Sequence, residues 1–153
     1  MNSTEILDAV NARLLEKWPE RRTYINVCPV NYERPSFWLE VTRDDRTPVT
    51  QRMTKRNVQI RLTLHDEADE HYDINWARLN NDVSACLKQV LHVGARRLLP
   101  QLQSMPRDID RAAILLNFEF MESNEETAPE IPAADSYQIS VQVNGGEIYQ
   151  RSE

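Results

Sequence analysis

Two segments of alternating hydrophobic and polar residues dominate the first half of the chain. Residues 58–64 place valine, isoleucine or leucine at every second position, and residues 37–42 alternate in the same way. A period of two residues is typical of a strand with one buried and one solvated face. Because residues 44–48 between the segments are polar and turn-forming, the pattern predicts a long antiparallel hairpin over 37–64 that projects beyond the core.

Two further stretches repeat hydrophobic residues at the spacing of an amphipathic helix. The first, 3–18, has Ser3 or Thr4 available as N-cap and ends before Pro19. The second, 74–92, begins after Asp73 and is expected to end at Gly94. Its hydrophobic stripe is predicted to pack on the sheet and consists of Trp76, Leu79, Val83, Cys86, Leu87, Val90 and Leu91.

Shorter patterns complete the predicted sheet. Residues 23–27, 113–121 and 137–143 are predicted strands, whereas 95–111 fits either a strand or a helical turn. The stretch 122–135 is acidic and proline-bearing and has no periodicity, so it predicts a flexible connection.

Together these elements predict one α+β domain over residues 1–153, with an irregular tail at 146–153. Its sheet is expected to be mixed and mainly antiparallel, with four to six strands, two flanking helices and the projecting β-hairpin.

Composition agrees with a single domain and limits its environment. The chain has 153 residues, 41% of them hydrophobic, which is enough for one core. No apolar run approaches the roughly 20 residues that span a bilayer, and no signal peptide precedes the first helix, so we expect no membrane contact. The two cysteines, Cys28 and Cys86, do not form a disulfide framework, so synthesis in the cytoplasm with buried, reduced thiols is expected.

Charge is distributed unevenly along the chain. The net charge of −6 divides into +3 over residues 1–61 and −9 over residues 62–153. One interpretation is a protein with two faces of opposite sign, which meets its own copies or other partners. The other is a surface that is simply solvated by its charges.

Motifs for catalysis are absent from the sequence. With only 3 glycines the chain has no glycine-rich phosphate loop, and it has no nucleophile elbow or zinc motif. His65 and His71 lie in an acidic loop at 65–73, but their spacing matches no familiar metal site. We therefore predict no catalytic residue, no cofactor and no metal.

Basic residues cluster on the predicted hairpin and just after its turn. They are Arg43, Arg46, Arg52, Lys55, Arg56 and Arg61. Such a cluster suits nucleic-acid phosphates, but the acidic chain favours carboxylates of a neighbouring protein, which the arginine fork also matches. All of these residues except Arg61 are the predicted subunit or tube interface. Because the arm is expected to add little to the core, reversing its charges is expected to leave the fold intact.

The order of elements resembles that of small phage tail terminator proteins. The resemblance covers residues 4–121 and rests on a helix, a short strand, Pro-Ser-Phe-Trp-Leu-Glu-Val at 35–41, the pattern Arg52-x-x-x-Arg56-x-Val58-x-Ile60-x-Leu62 and a second amphipathic helix. It implies a hexameric ring that caps the tail tube, stops its growth and offers a surface to the neck or head connector. Arg52 and Arg56 would then lie at subunit or tube contacts. The acidic 122–135 stretch and the strand at 137–143 depart from the pattern.

The resemblance also implies assembly in the host cytoplasm and a final place in the virion tail. Two alternatives remain open from the sequence. One is a neck or head-completion protein, and the other is an accessory protein that binds nucleic acid through the basic hairpin, although nucleic acid is the less favoured partner.

Overall fold

Helices and strands are mixed along the chain in an α+β order. The computed structural model describes residues 1–66, 76–106, 108, 110–124, 138–143 and 146–152. These residues form the helices α1 (Ser3–Lys17) and α2 (Trp76–Leu87) and nine strands. The strands are β1 (Arg22–Ile25), β2 (Ser36–Thr50), β3 (Met53–His65), β4 (Leu91–Val93), β5 (Arg96–Leu98), β6 (Gln101–Ser104), β7 (Ala112–Ser123), β8 (Gln138–Val143) and β9 (Gly146–Ser152).

Five of the strands form the main sheet, in the order β1-β2-β3-β7-β6. β1 runs parallel to β2, and the other neighbours are antiparallel. The strand pairs β4–β5 and β8–β9 form two small sheets. The prediction of a mixed, mainly antiparallel sheet with two helices is thus confirmed. Within the described ranges, no helix is both long and apolar enough to cross a membrane.

The hydrophobic core lies on one face of the main sheet, under α1, α2 and the β4–β5 pair. Alternate residues of β3 supply its centre, and Trp18 at the end of α1 packs edge-on against Phe37, with ring centroids 5.6 Å apart. The sheet contribution consists of Phe37, Leu39, Val58, Ile60, Leu62, Leu64, Ile114, Leu116 and Phe118. The opposite face is polar near the middle, where Gln59 accepts from the Thr42 hydroxyl and donates to Asn117.

The second helix is shorter than predicted. It ends at Leu87, and Leu91 belongs to β4, where Leu91 and Val93 are buried and His92 between them is exposed. Val90 and Leu91, the last two residues of the predicted stripe, were therefore wrongly included in the helix. From Leu91 onwards the buried positions repeat every two residues, as in a strand. Gly94 lies in the β4–β5 turn at φ 58°, a left-handed conformation that favours glycine.

The start of the first helix also differs from the prediction. Asn2 is its N-cap, because the Asn2 side chain accepts from the backbone of Thr4 while the Glu5 carboxylate accepts from the Asn2 backbone N–H. This reciprocal arrangement satisfies two donors at the helix start. Ser3 therefore belongs to the first turn.

The hairpin turn was predicted too early. Residues 44–48 continue β2, and the turn comes at 51–52. The arm is also wider than a hairpin, because β7 pairs with β3 as far as Met53 and Ser123. Charged side chains on adjacent strands pair with one another, as Asp44 does with Arg56, so the polar residues 44–48 can form a strand. The polar composition of this stretch alone indicated a turn.

The C-terminal expectations have mixed outcomes. Residues 146–152, predicted as an irregular tail, form β9 against β8. The ambiguous stretch 95–111 contains β5 and β6. In the predicted connection 122–135, Glu122 and Ser123 belong to β7, and residues 125–135 lie outside the described residues. So do residues 67–75, which include Asp73 and most of the acidic loop.

Truncation of the buried end of α2 tests this packing. Leu87 is completely buried, so Leu87→Ala is expected to lower the free energy of unfolding by about 2–5 kcal/mol. Val90→Ala is the matched control, because Val90 is 42% exposed and lies beyond the helix. Chemical denaturation measures both. Equal losses in the two variants would contradict the packing described here.

Candidate functional site

The predicted interface residues lie on an arm that extends past the hydrophobic core. We define the distal arm as residues 43–56 of the β2–β3 hairpin together with residues 119–124 of β7. Both of its outer backbone edges lack a strand partner among the described residues. β1 pairs with β2 only as far as Leu39, and β6 pairs with β7 only from Ile114 to Asn117.

A β-bulge decides which arm residues share a face. Val41 lies opposite Ile60, but Arg43 lies opposite Gln59, so Thr42 is an extra residue on β2. An extra residue shifts the alternation of all residues that follow it. Asp44 therefore lies opposite Val58, on the core side of the sheet. By simple alternation from Val41, Arg43 would have taken that side instead.

The shift brings a carboxylate to a buried guanidinium. Arg56 is only 2% exposed. Its Nε and Nη2 donate to the two carboxylate oxygens of Asp44 at 2.8 and 2.7 Å, and its Nη1 donates to Glu122 Oε1 at 3.2 Å. Nη1 also donates to the backbone carbonyl of Met1, just before α1. One side chain thus ties together β2, β3, β7 and the start of α1.

The electrostatics of this cluster agree with its geometry. Hydrogen bonds donated by Arg56 lower the pKa of Asp44, and the same hydrogen bonds to Asp44 raise the pKa of Arg56. Bidentate pairs of this kind are stronger than neutral hydrogen bonds. Removal of one partner leaves a buried charge without compensation. The expectation that arm charges can be reversed without harm to the fold therefore does not hold for Arg56.

Asn124 closes the tip of the arm. Its backbone N–H donates to the carbonyl of Arg52 at 2.8 Å, and its side chain donates to the carbonyl of Gln51 at 3.2 Å. The Thr54 hydroxyl donates to the Asn124 side-chain oxygen at 2.7 Å. The end of β7 therefore holds the hairpin turn in place.

The other predicted interface residues fall into two groups. Arg43 pairs with Asp45, and Lys55 pairs with Glu119 at 2.6 Å. The side chains of Arg46 and Arg52 are exposed and have no ion pair or hydrogen bond within the described part of the chain. Arg61, from the same basic cluster, pairs with Glu40 and lies over the Trp38 ring at 5.8 Å, on the opposite face of the sheet. Available cations are thus fewer than the sequence indicated.

A cleft of about 590 Å³ lies on the core side of the arm, and we call it the arm cleft. Arg46, Arg56 and Arg96 line it, together with Pro48, Thr54 and Glu122. Arg46 and Arg56 are directly opposite each other on β2 and β3. Arg96 donates to the carbonyl of Met121 at 2.7 Å and lies 5.7 Å from the Phe120 ring centroid. Sequence reasoning missed Arg96, because it falls in the stretch whose secondary structure was ambiguous.

A second polar cluster surrounds His65, at the other end of β3. His65 is 1% exposed, stacks on Tyr32 with ring centroids 4.0 Å apart, and has its Nδ1 3.2 Å from the Ser36 hydroxyl. Burial, followed by the nearby Arg34, lowers the pKa of His65 to about 4. Ser36 is itself completely buried, so this pair contributes to packing and presents no hydroxyl at the surface.

Groups that hold metals or act as nucleophiles are weakly represented. Within the described ranges, no three His, Cys, Asp or Glu side chains are placed to hold a metal ion. His71 lies outside those ranges, so the expectation of no metal in the 65–73 loop stays a prediction. Burial raises the pKa of both Cys28 and Cys86, which disfavours reactive thiolates.

Replacement of Arg56 tests its role in the fold. Arg56→Met removes the cation that donates to both Asp44 and Glu122, so we expect the free energy of unfolding to fall by about 3–5 kcal/mol. Arg52→Met is the control, because its exposed side chain has no partner within the described residues. We expect the control to change stability by less than about 0.5 kcal/mol. Similar stabilities of the two variants in urea would show that the cluster is dispensable.

The pH dependence of stability tests the His65 cluster. The folded pKa of about 4 lies below the ordinary value of 6.5, so the unfolded chain binds a proton first as the pH falls. The stabilisation that comes from burying neutral His65 is complete above pH 6.5, the ordinary pKa of histidine. It is lost as the pH falls towards about 4, the pKa of His65 in the folded protein. From about pH 7 to about pH 5 we expect a loss of about 2 kcal/mol. His65→Gln should lack this loss, and an unchanged slope in that variant would refute the assignment.

Comparison with known proteins bears on the whole of this architecture. A search of curated proteins found no significant match. The family model described as phage tail terminator protein matches residues 5–130. The match spans nearly all of α1 and every strand of the main sheet, including the distal arm. Because it covers well over half of the chain, this protein belongs to the phage tail terminator family and is a structural component of tail completion.

Proposed function

We propose that this protein ends tail assembly as a homohexameric ring that caps the tail tube, with its distal arm at the contacts between subunits or between ring and tube. The observation that carries the proposal is the arm itself, within the family match. On the arm, beyond the core, Arg46 and Arg52 have exposed side chains with no ion pair or hydrogen bond among the described residues. A neighbouring carboxylate is the natural partner for such guanidinium groups.

The sequence along the outer edge of the arm favours specific side-chain contacts over the indiscriminate addition of a strand from another chain. β2 carries charges of both signs and Pro48 along the edge that has no strand partner among the described residues. Charges and proline hinder the addition of a foreign strand. Side-chain contacts are therefore the better basis for assembly on this edge. In the proposed pathway, subunits are made in the host cytoplasm, close on the finished tube and offer another surface to the neck or head connector.

Internal pairing weighs against nucleic acid as the partner. Arg43, Lys55 and Arg56 have carboxylate partners within the chain, so they contribute less to phosphate binding than free cations would. The net charge of −6 has the same effect. A neck or head-completion role shares the proposed assembly chemistry and differs only in where the protein attaches.

Charge reversal at the two unpaired arginines tests the proposal. Arg46→Glu with Arg52→Glu should leave circular dichroism unchanged and should not lower the melting temperature, because neither side chain is buried. Loss of charge pairs at an interface costs on the order of a few kcal/mol, so ring closure or capping should fail. In a phage-producing cell that depends on the variant, electron microscopy should show tails that are overlong or unjoined to heads. Lys88→Glu, an exposed site after α2, is the control and should give normal particles.

The alternatives give different results in the same experiment. Tails of normal length that lack heads would move the protein to the neck or head-completion step. Normal particles from the double variant, together with salt-sensitive DNA binding by the parent protein, would overturn the terminator role and favour a nucleic-acid accessory.

A further inference from the structure

We propose that the arm cleft binds the acidic segment 125–135 of a second copy of this chain. The proposal rests on the ring proposed above and identifies one contact that holds it together. It joins a cationic cleft to a stretch that contains Glu125, Glu126, Glu130 and Asp135 and no lysine or arginine.

The cleft has unused capacity for carboxylates. Of its three guanidinium groups, only Arg56 is fully engaged, by Asp44, Glu122 and the Met1 carbonyl. Arg46 has no hydrogen bond within the described residues, and Arg96 has one, to the Met121 carbonyl. Glu122 is the sole carboxylate among the residues that line the cleft, and it faces Arg56. Positive charge is therefore in excess at two places that flank Arg56, at Arg46 on β2 and at Arg96 beside β7.

This excess has a structural cost that an anion would relieve. Arg46 lies directly opposite Arg56, and like charges at such a cross-strand position repel each other. Asp44 compensates Arg56 and attracts Arg46 at longer range. Carboxylates of a bound peptide beside Arg46 and beside Arg96 would compensate the remaining charge. At about 590 Å³, the cleft is large enough for several side chains of a peptide.

The length of the acidic segment allows it to reach a neighbour. The 11 residues 125–135 span up to about 35–40 Å when extended. A domain of this size is about 40 Å across. The segment leaves the described part of the chain at Asn124, at the tip of the arm.

Binding within one copy is less favourable on geometric grounds. Asn124 lines the cleft only at the hairpin turn, where Gln51 and Arg52 hold it, whereas Arg46 lies several residues away from that turn along β2. β7 runs from Phe120, level with Arg56, to Ser123, level with Met53, and so is directed away from Arg46 where it ends. Glu125 and Glu126 would have to reverse the chain immediately to approach Arg46 of their own copy. A second copy presents the same carboxylates without that constraint.

A peptide titration tests the cleft directly. A fluorescently labelled peptide with the sequence of residues 122–135 should bind the purified parent protein saturably, and added salt should weaken it by screening. Arg46→Glu with Arg96→Gln should weaken binding at least tenfold. Arg97→Gln is the matched control, since Arg97 is an exposed neighbour that does not line the cleft. The absence of saturable binding, an equal loss in the control, or tighter binding of a single-stranded oligonucleotide than of the peptide would overturn the proposal.

A charge-swap experiment distinguishes two copies from one. One variant carries Arg46→Glu and Arg96→Glu, and another carries Glu125→Lys, Glu126→Lys and Glu130→Lys. We expect analytical ultracentrifugation to show parent oligomers, monomers of each variant alone, and oligomers again in the equimolar mixture. Oligomers of a chain with all five changes, without rescue in the mixture, would place the contact within one copy and overturn the proposal. A parent that stays monomeric would also overturn it.

These outcomes are separable from the proposed function. Both measurements use purified protein without tail tubes, so failure of peptide binding leaves the tail-length result standing. Conversely, normal tails from the Arg46 and Arg52 variant, combined with positive peptide binding, would overturn the terminator role but retain the cleft.

Discussion

A guanidinium group buried to 2% exposure constrains every element around it, because a buried charge must be both neutralised and hydrogen-bonded. Arg56 meets that requirement through Asp44 on β2 and Glu122 on β7, with the Met1 carbonyl as a further acceptor. The bulge at Thr42 is what presents Asp44 on the correct face. The position of the arm relative to the core thus follows from one polar cluster rather than from hydrophobic packing.

The same cluster separates structural from available charges. The amino-acid sequence alone does not distinguish the arginines of the arm. In the structure Arg56 has carboxylate partners, whereas the side chains of Arg46 and Arg52 have no partner among the described residues. A surface designed for assembly needs both kinds. The engaged arginine positions the strands, and in the proposed ring the arginines without a partner among the described residues are the ones that meet a neighbour. This division explains how an acidic protein has a localised basic surface although only two arginines of its distal arm lack a partner among the described residues.

The regular parts of the fold were predictable because burial imposes a simple period. β7 shows strict alternation and α1 shows a helical stripe, so both were found near their true bounds, as was the end of β3. Errors arose where the period changed within a hydrophobic run, as from α2 into Leu91, or where polar residues formed strands. Nothing local to Asp44 or Pro48 predicts that they continue β2, since their partners lie on other strands.

The candidate site was only partly accessible from sequence for the same reason. The basic cluster was visible, but its sorting into paired and unpaired members depends on Asp44, Glu119 and Glu122. The latter two are distant along the chain. Arg96 lines the cleft as the first residue of β5, a strand of three residues that is too short to show a clear hydrophobic pattern. Identifying the site therefore required the pairing register of β2, β3 and β7, which residue types along the chain do not reveal.

The two central strands also differ in how they tolerate changes of length. β3 pairs without interruption with β7, residue for residue from Met53 to Leu64, whereas its pairing with β2 contains two register shifts. A residue inserted in the middle of β3 would move part of the core to the wet face. At Thr42, where β2 already carries an extra residue, a deletion would only convert a bulge into a regular ladder. Relatives of this protein should therefore vary in length along β2 and keep β3 constant.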